Sequence, residues 1–236
     1  MPPAAIDPVQ FDLVSFDLDG TLVDTATEIA EAANRALESH AIARRPLAEI
    51  TLLIGAGTHA LMRRLLERCV AEDPALAQRL DPQAVLDSLD AHYAAVSGSL
   101  AVLYPGCAET LARLRAAGIQ LACTTNKEYR HSLRVLEATG LGDAFDLVVG
   151  GDSLAHKKPD ASVLQHVAQT LGARRERSAH VGDSRIDVEA ARNAGVAAWA
   201  VPYGYNAGAP VEQSLPDRMF DSLPAVARHV LEGGAR

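Results

Sequence analysis

Four short clusters in this chain combine residue types able to do chemistry: Asp17-Leu18-Asp19-Gly20-Thr21, Thr124-Thr125-Asn126-Lys127, Lys157-Lys158-Pro159 and Gly182-Asp183-Ser184-Arg185-Ile186-Asp187. Asp17, Asp19 and Asp183 gathered in one small site would be costly unless a cation or a proton compensates them. Hard oxygen ligands at a phosphate site favour Mg²⁺ over zinc. Such an ion also screens an attacking carboxylate from an incoming phosphate. Lys158 supplies a fixed positive charge and Thr125 a hydroxyl donor, while Gly20 permits a tight turn that brings backbone N–H groups close to a phosphate. Two acids two residues apart suit phosphoryl transfer: one attacks to form an aspartyl-phosphate, and the other protonates the leaving oxygen and then activates water. Taken singly, each cluster also reads as an ordinary turn, helix cap or solvated linker. Their succession along the chain is what carries the chemical reading.

The elements that must position these clusters follow from apolar patterning. Residues 12–17 form a short apolar run ending in the acidic turn, as a buried parallel strand does when it delivers carboxylates to its C-terminal edge. Thr25-Ala26-Thr27-Glu28 has capping-box spacing, and Ile29, Ala32, Ala33, Ala36 and Leu37 recur at helical period. Further helical patterns follow Gly55-Ala56-Gly57 and Asp81-Pro82. Residues 25–100 hold no comparable strand, which predicts a helical insert. From about residue 101 the rhythm changes to helices alternating with strands at 119–125, 145–149, 178–181 and 196–201. This is the signature of βαβ units and a parallel sheet, where ligands bind beyond the carboxyl ends of the strands. Each of the four clusters falls at such an end. The expected fold is α/β, a parallel-sheet core of residues 1–24 and 101–236 with residues 25–100 inserted. Ser97-Gly98-Ser99 at the second crossing has the composition of a hinge.

Composition narrows the function classes. The 236 residues carry 22 basic against 30 acidic side chains, a net charge of −8, which argues against a nucleic-acid binder with a basic footprint. The uncharged runs 91–108 and 193–211 are interrupted by Pro, Gly and polar residues and do not read as membrane spans. The first ten residues lack the basic and apolar blocks of a secretory signal, so the expected location is the cytoplasm. Cys69, Cys107 and Cys123 form no CxxC pair and read as buried thiols of a reducing compartment. Only Lys127, Lys157 and Lys158 among the 22 basic residues are lysines; the other 19 are arginines.

Together the clusters resemble the haloacid-dehalogenase superfamily of phosphatases over essentially the whole chain: DxDGT at Asp17–Thr21, a strand-end Thr125, Lys158, and GDxxxD at Asp183 and Asp187. The resemblance implies a Rossmann-like core with helices on both faces and a small helical cap inserted between the first two core motifs. It makes Asp17 the nucleophile and Asp19 the general acid/base. Mg²⁺ would be held by Asp17, the Asp19 carbonyl and Asp183. Phosphate would be held by Thr125, Asn126, Lys158 and the backbone at Leu18 and Gly20, with Asp187 and Ser184 in support. Lys158 is preferred to Lys157 because it stands directly before Pro159. Ile54-Gly55-Ala56-Gly57, Tyr104-Pro105-Gly106, Thr125-Asn126-Lys127 and Tyr203-Gly204-Tyr205-Asn206 further resemble the branch that hydrolyses 2-phosphoglycolate, a small phosphorylated carboxylate. On the cap side, the Gly55-Ala56-Gly57 turn is the preferred anion site, ahead of Arg63 and Arg64. Other branches fit less well. A dehalogenase needs neither Asp19 nor magnesium, a phosphonatase needs a cap lysine that residues 25–100 lack, and a mutase carries a histidine absent from residues 25–39. Pyrophosphate or a sugar phosphate remains as an alternative substrate, and a non-catalytic phosphate binder would have lost Asp17, Asp19 or Lys158.

Overall fold

A computed structural model describes residues 11–233; the signal-peptide reading concerns the first ten residues and lies outside them. β1 (Leu13–Phe16), β4 (Gln120–Thr124), β5 (Leu147–Val149), β6 (Ser178–Gly182), β7 (Ala197–Ala200) and β8 (Arg218–Met219) form one sheet in the order β5-β4-β1-β6-β7-β8, every neighbouring pair parallel. β1 lies at the centre, and Phe16 is level with Cys123 of β4 on one side and Val181 of β6 on the other. The residues that follow Phe16 therefore emerge beside Thr124-Thr125 and Gly182-Asp183.

Alternation along the strands serves two layers. Val14 and Phe16 of β1 face a core shared with α6 (Cys107–Ala116), α7 (Tyr129–Ala138) and α10 (Leu223–Leu231). On the opposite face, Leu13 packs with α8 (Ala161–Thr170), and α9 (Arg185–Ala194) covers β7. Trp199 of β7 is fully buried, edge-on to Phe11 at 4.9 Å and to Phe220 at 5.3 Å between ring centroids.

Between the first two strands of this sheet the chain forms α1 (Ala26–Ser39), α2 (Leu47–Thr51), α3 (Thr58–Glu72), α4 (Leu76–Arg79) and α5 (Pro82–Val96). Their apolar faces share a separate cluster running from Ile29 to Val96, with Met62, Leu65 and Tyr93 inside it. The two crossings are joined by a feature that two-residue strands leave invisible to periodicity: β2 (Val23–Asp24) pairs antiparallel with β3 (Val102–Leu103). None of the helices among the described residues is long and apolar enough to cross a membrane. All three cysteines are buried and free.

The capping box expected at Thr25 and Glu28 does not form. Thr25 Oγ1 donates instead to Asp19 Oδ1 at 2.6 Å, and the Glu28 carboxylate accepts from Gly98 N–H at 2.8 Å and from the Tyr93 hydroxyl at 3.3 Å. Glu28 is fully buried against the second crossing and satisfies an amide there rather than at its own helix start. The entry to α1 is met by the Tyr205 hydroxyl, which accepts from the N–H groups of Thr25 at 2.8 Å and Ala26 at 3.0 Å. Trp199→Ala should leave a cavity beside Phe11, Phe220 and His229 and cost about 3–5 kcal/mol, read as a lower urea midpoint at unchanged slope.

Candidate active site

At the carboxyl end of β1 the Asp17 N–H donates to Val181 O at 2.9 Å, which fixes the start of the acidic turn against β6. Leu18 points into the core, so only its backbone can serve a ligand; its carbonyl already accepts from the amides of Thr21, Leu22 and Val23. The Gly20 N–H donates to Val23 O at 2.9 Å, so this amide closes the turn rather than reaching toward a phosphate. Gly20 matters for a different reason. Its φ of +87° suits glycine, and a Cβ there would sit 2.4 Å from Asp183 Oδ2.

Lys158 organises the buried charges. Its ammonium donates to Asp17 Oδ1 at 2.9 Å, Asp187 Oδ1 at 2.6 Å and the Thr124 carbonyl at 2.6 Å, which matches three donors with three acceptors. Lys157 is turned to the Ala56 carbonyl at 2.6 Å, so Lys158 is the lysine that the fold brings to Asp17. Asp187 further accepts from the Ser184 hydroxyl at 2.6 Å and lies 3.2 Å from His180 Nε2. Behind this group Ser15 Oγ lies 2.9 Å from both His180 Nδ1 and Thr124 Oγ1, a polar row crossing β4, β1 and β6 inside the sheet.

Burial pushes the Asp17 carboxyl up to about 7; the Lys158 ammonium pulls against this, and Asp187 and Asp19 reinforce it. Burial also raises Asp183 well above the carboxylate range, helped by the negative charges of Asp187 and Asp17. Asp187 is buried too, but Lys158 and His180 outweigh burial and hold it below its ordinary value. Burial and the Lys158 charge lower the His180 imidazole, which stays neutral at pH 7.

Carboxylate oxygens of Asp17, Asp183 and Asp187 lie within 4.8 Å of one another. When all three are ionised, the one ammonium leaves a double negative charge, which suits a divalent cation with a preference for oxygen ligands. Asp187 is already engaged by Lys158, His180 and Ser184, which leaves Asp17 and Asp183 as the carboxylates fitted to hold it. Asp183 is positioned by the loop after β7: the Tyr205 N–H donates to its Oδ2 at 2.6 Å. Nothing in the spacing of Tyr203–Asn206 signals this role, because the contact forms only when the loop after β7 folds back on β6.

A cavity opens between the acidic turn and the helical unit, lined by Asp17, Asp19, Thr125, Asn126 and Lys127 on one side and Ile29, Ile54, Gly55, Gly57, Thr58 and Leu61 on the other. The Asn126 side-chain amide bridges it, donating to the Gly55 carbonyl at 3.1 Å and the Lys158 carbonyl at 2.9 Å. Thr125 Oγ1 accepts from the Lys127 N–H at 3.2 Å. Ala56 lies with Arg64 in a neighbouring cleft, and Arg63 is exposed. Lys127, missed among the site residues, donates to Asp19 Oδ1 at 2.6 Å. Its signal was compositional: all three lysines of this arginine-rich chain stand around the site.

A parallel α/β sheet carrying paired aspartates, a buried lysine and a second acidic pair at its carboxyl edge defines the haloacid dehalogenase-like hydrolases, and the profile of that family matches residues 14–201. The chain belongs to this family. Among its relatives, a plasmid-borne phosphoglycolate phosphatase of Cupriavidus necator is 40% identical over 214 residues, covering 90% of each chain. A phosphoglycolate phosphatase of Pseudomonas putida is 39% identical, covering 91% of this chain and 78% of its own. Among solved structures, a predicted phosphoglycolate phosphatase from Haemophilus somnus superposes with a TM-score of 0.87 at 31% identity, covering 93% of this chain and 97% of its own. CbbY from Rhodobacter sphaeroides, at 23% identity and a TM-score of 0.75 over 94% of this chain and 98% of its own, shares the fold.

The raised carboxyls make stability depend on pH in the metal-free protein. Asp17 and Asp183 ionise near 3.8 when unfolded but at higher pH when folded, so their contribution is full below pH 4 and is lost as pH rises through the folded values. Asp187, held below 3.8, acts in the opposite sense but only in more acidic solution. With chelator present, the melting temperature should fall between pH 5 and pH 8, and a saturating divalent cation should reverse most of that fall at pH 8.

Proposed function

We propose that this chain is a Mg²⁺-dependent phosphomonoester hydrolase that works through an aspartyl-phosphate on Asp17 and takes 2-phosphoglycolate as its substrate. The observation that carries the reading is the Lys158–Asp17 contact at 2.9 Å, with Asp19 lining the same cavity. Lys158 fixes the rotation of the Asp17 carboxylate and offsets its charge as a phosphate approaches. The Asp17 carboxylate then attacks phosphorus, the ester P–O bond breaks, and Asp19 gives its proton to the departing oxygen. Water next attacks the acyl phosphate while Asp19 takes back a proton, releasing phosphate and restoring Asp17. Asp17, Asp183 and the carbonyl of Asp19 would hold Mg²⁺, which when bound supplies a counter-charge to the transferring phosphoryl group. Thr125 completes the phosphate cradle with its hydroxyl and Asn126 with its backbone, since both Asn126 amide protons are held by the Gly55 and Lys158 carbonyls, and Asp187 acts through Lys158.

The substrate assignment is supported by the names of the relatives at 35–40% identity and by the narrow, partly apolar cavity. The three buried thiols suit the reducing cytoplasm. Phosphate release should be abolished by chelation and restored by Mg²⁺. Asp17→Asn should lose about three orders of magnitude or more in kcat at near-native stability. In the same assay, kcat/KM for 2-phosphoglycolate should exceed that for pyrophosphate and for sugar phosphates by tenfold or more; the reverse order would replace the substrate and keep the chemistry.

Residues 25–100 are proposed to act as a cap that rocks over a core of 1–24 and 101–236. Support comes from their separate apolar cluster and from the pairing of both crossings through β2–β3 and Glu28–Gly98. Hydrogen exchange should slow at the α3 start and at 97–99 when a phosphate analogue and Mg²⁺ are added.

A further inference from the structure

Lys127 and Lys158 are both buried, yet their ammonium groups are served very differently. Lys158 has three acceptors for three protons. The Lys127 side chain has no exposed surface and one hydrogen-bond acceptor, Asp19 Oδ1 at 2.6 Å, with the Tyr93 ring 5.1 Å away. The Glu28 carboxylate feels the Lys127 charge, but its oxygens are held by the Tyr93 hydroxyl and the Gly98 N–H, so the ammonium keeps donors for a further anion. It is also the sole cationic side chain on the wall of the cavity that contains Asp17 and Asp19, among the described residues. Arg64 faces a separate cleft with Arg185, and Arg63 is exposed.

We propose that Lys127 is the specificity-determining cation of this site, taking the carboxylate of the substrate while it holds Asp19. The inference rests on the 2-phosphoglycolate reading and names the residue that recognises the acid end. The chemistry of the substrate sets the distances. Asp19 must meet the ester oxygen, and the carboxylate carbon lies only two bonds beyond that oxygen. The matching cation must therefore stand next to the general acid, which is where Lys127 stands. Ile29, Ile54 and Leu61 make most of the facing wall apolar, and the Thr58 hydroxyl there is already turned to Glu128. The three apolar side chains offer a sugar hydroxyl no partner and strengthen the attraction between ammonium and carboxylate by excluding water. Gly57 brings the helical unit close, since a Cβ there would lie 2.8 Å from the Asn126 carbonyl.

The test compares 2-phosphoglycolate with 2-hydroxyethyl phosphate, which replaces the carboxylate by a neutral alcohol, in the wild-type chain and in K127M and K127Q. K127M removes the charge at similar volume; K127Q keeps a donor for Asp19 and guards against a folding defect in the first variant, which circular dichroism reports. The wild-type ratio of kcat/KM should favour the carboxylate substrate. In the variants this ratio should fall by tenfold or more, about 1.4 kcal/mol, chiefly through a higher KM for 2-phosphoglycolate. A ratio that falls by less than tenfold, with both substrates slowed alike, would reduce Lys127 to a positioning residue for Asp19 and overturn the proposal. A wild-type chain with no preference between the two substrates would instead sink the substrate reading itself, and this inference with it.

Discussion

Burying several carboxylates at one edge of a sheet is the constraint around which this molecule is arranged. Asp17 and Asp19 leave β1, while Asp183 and Asp187 follow its neighbour β6, and the parallel register brings the two acidic segments level. Their mutual repulsion and desolvation would expel them unless cations come from elsewhere in the chain. Those cations come from the loops after β4 and β5: Lys127 pairs with Asp19, and Lys158 with Asp17 and Asp187. The strand order is thus the means by which opposite charges, distant in sequence, meet at one place. It also separates the acids electrically, since Asp187 is held low beside Lys158 while Asp17 and Asp183 are pushed up.

The walls around these charges are built of backbone wherever space is shortest. A Cβ on Gly204 would lie 2.1 Å from Asp183 Oδ2, and one on Gly182 would lie 2.2 Å from the Asp187 side chain. Removing side chains there lets the acids pack against peptide groups, whose amides can also donate to them, as Tyr205 N–H does to Asp183. The same tyrosine joins the core to the helical unit: its hydroxyl donates to Asp24 Oδ1 at 2.7 Å and accepts from the first amides of α1. One short loop therefore holds both an acid of the site and the first crossing. Contacts thus run without a break from Asp183 through that loop to the start of α1.

Much of this was legible in the chain itself. The apolar runs ending in DLDGT and GDSRID foretold β1 and β6 because a fully buried parallel strand has little freedom in composition. The helical period of residues 26–37 located α1, yet its capping pattern misled. Thr25 and Glu28 have the right spacing for a box, but Asp19 and Gly98 compete for them from across the fold, and tertiary partners win. β2, β3 and β8 escaped because two residues cannot display a period. Lys127 escaped for another reason: beside a strand-end threonine and asparagine it reads as one more polar loop residue. Its burial depends on Tyr93 and the α1–α5 unit, which are brought over it only by the completed fold.

The use of lysine, scarce here, follows from the same charge problem. Arginine serves the surface, where its planar fork pairs with Glu31, Glu38 and Glu72 at the rim of the helical unit. In the interior a guanidinium would need a flat slot and partners for five protons, which a cleft between two strand ends does not supply. An ammonium is compact and can sit between Asp17, Asp187 and a carbonyl with every proton used. It can also sit beside Asp19 with protons in reserve. The first arrangement is closed and fixes geometry; the second is open and can accept a ligand. A chain that places 19 of its 22 cations as arginine thus uses the two buried lysines, Lys127 and Lys158, for charge confined in the site, while Lys157 stays exposed at its edge.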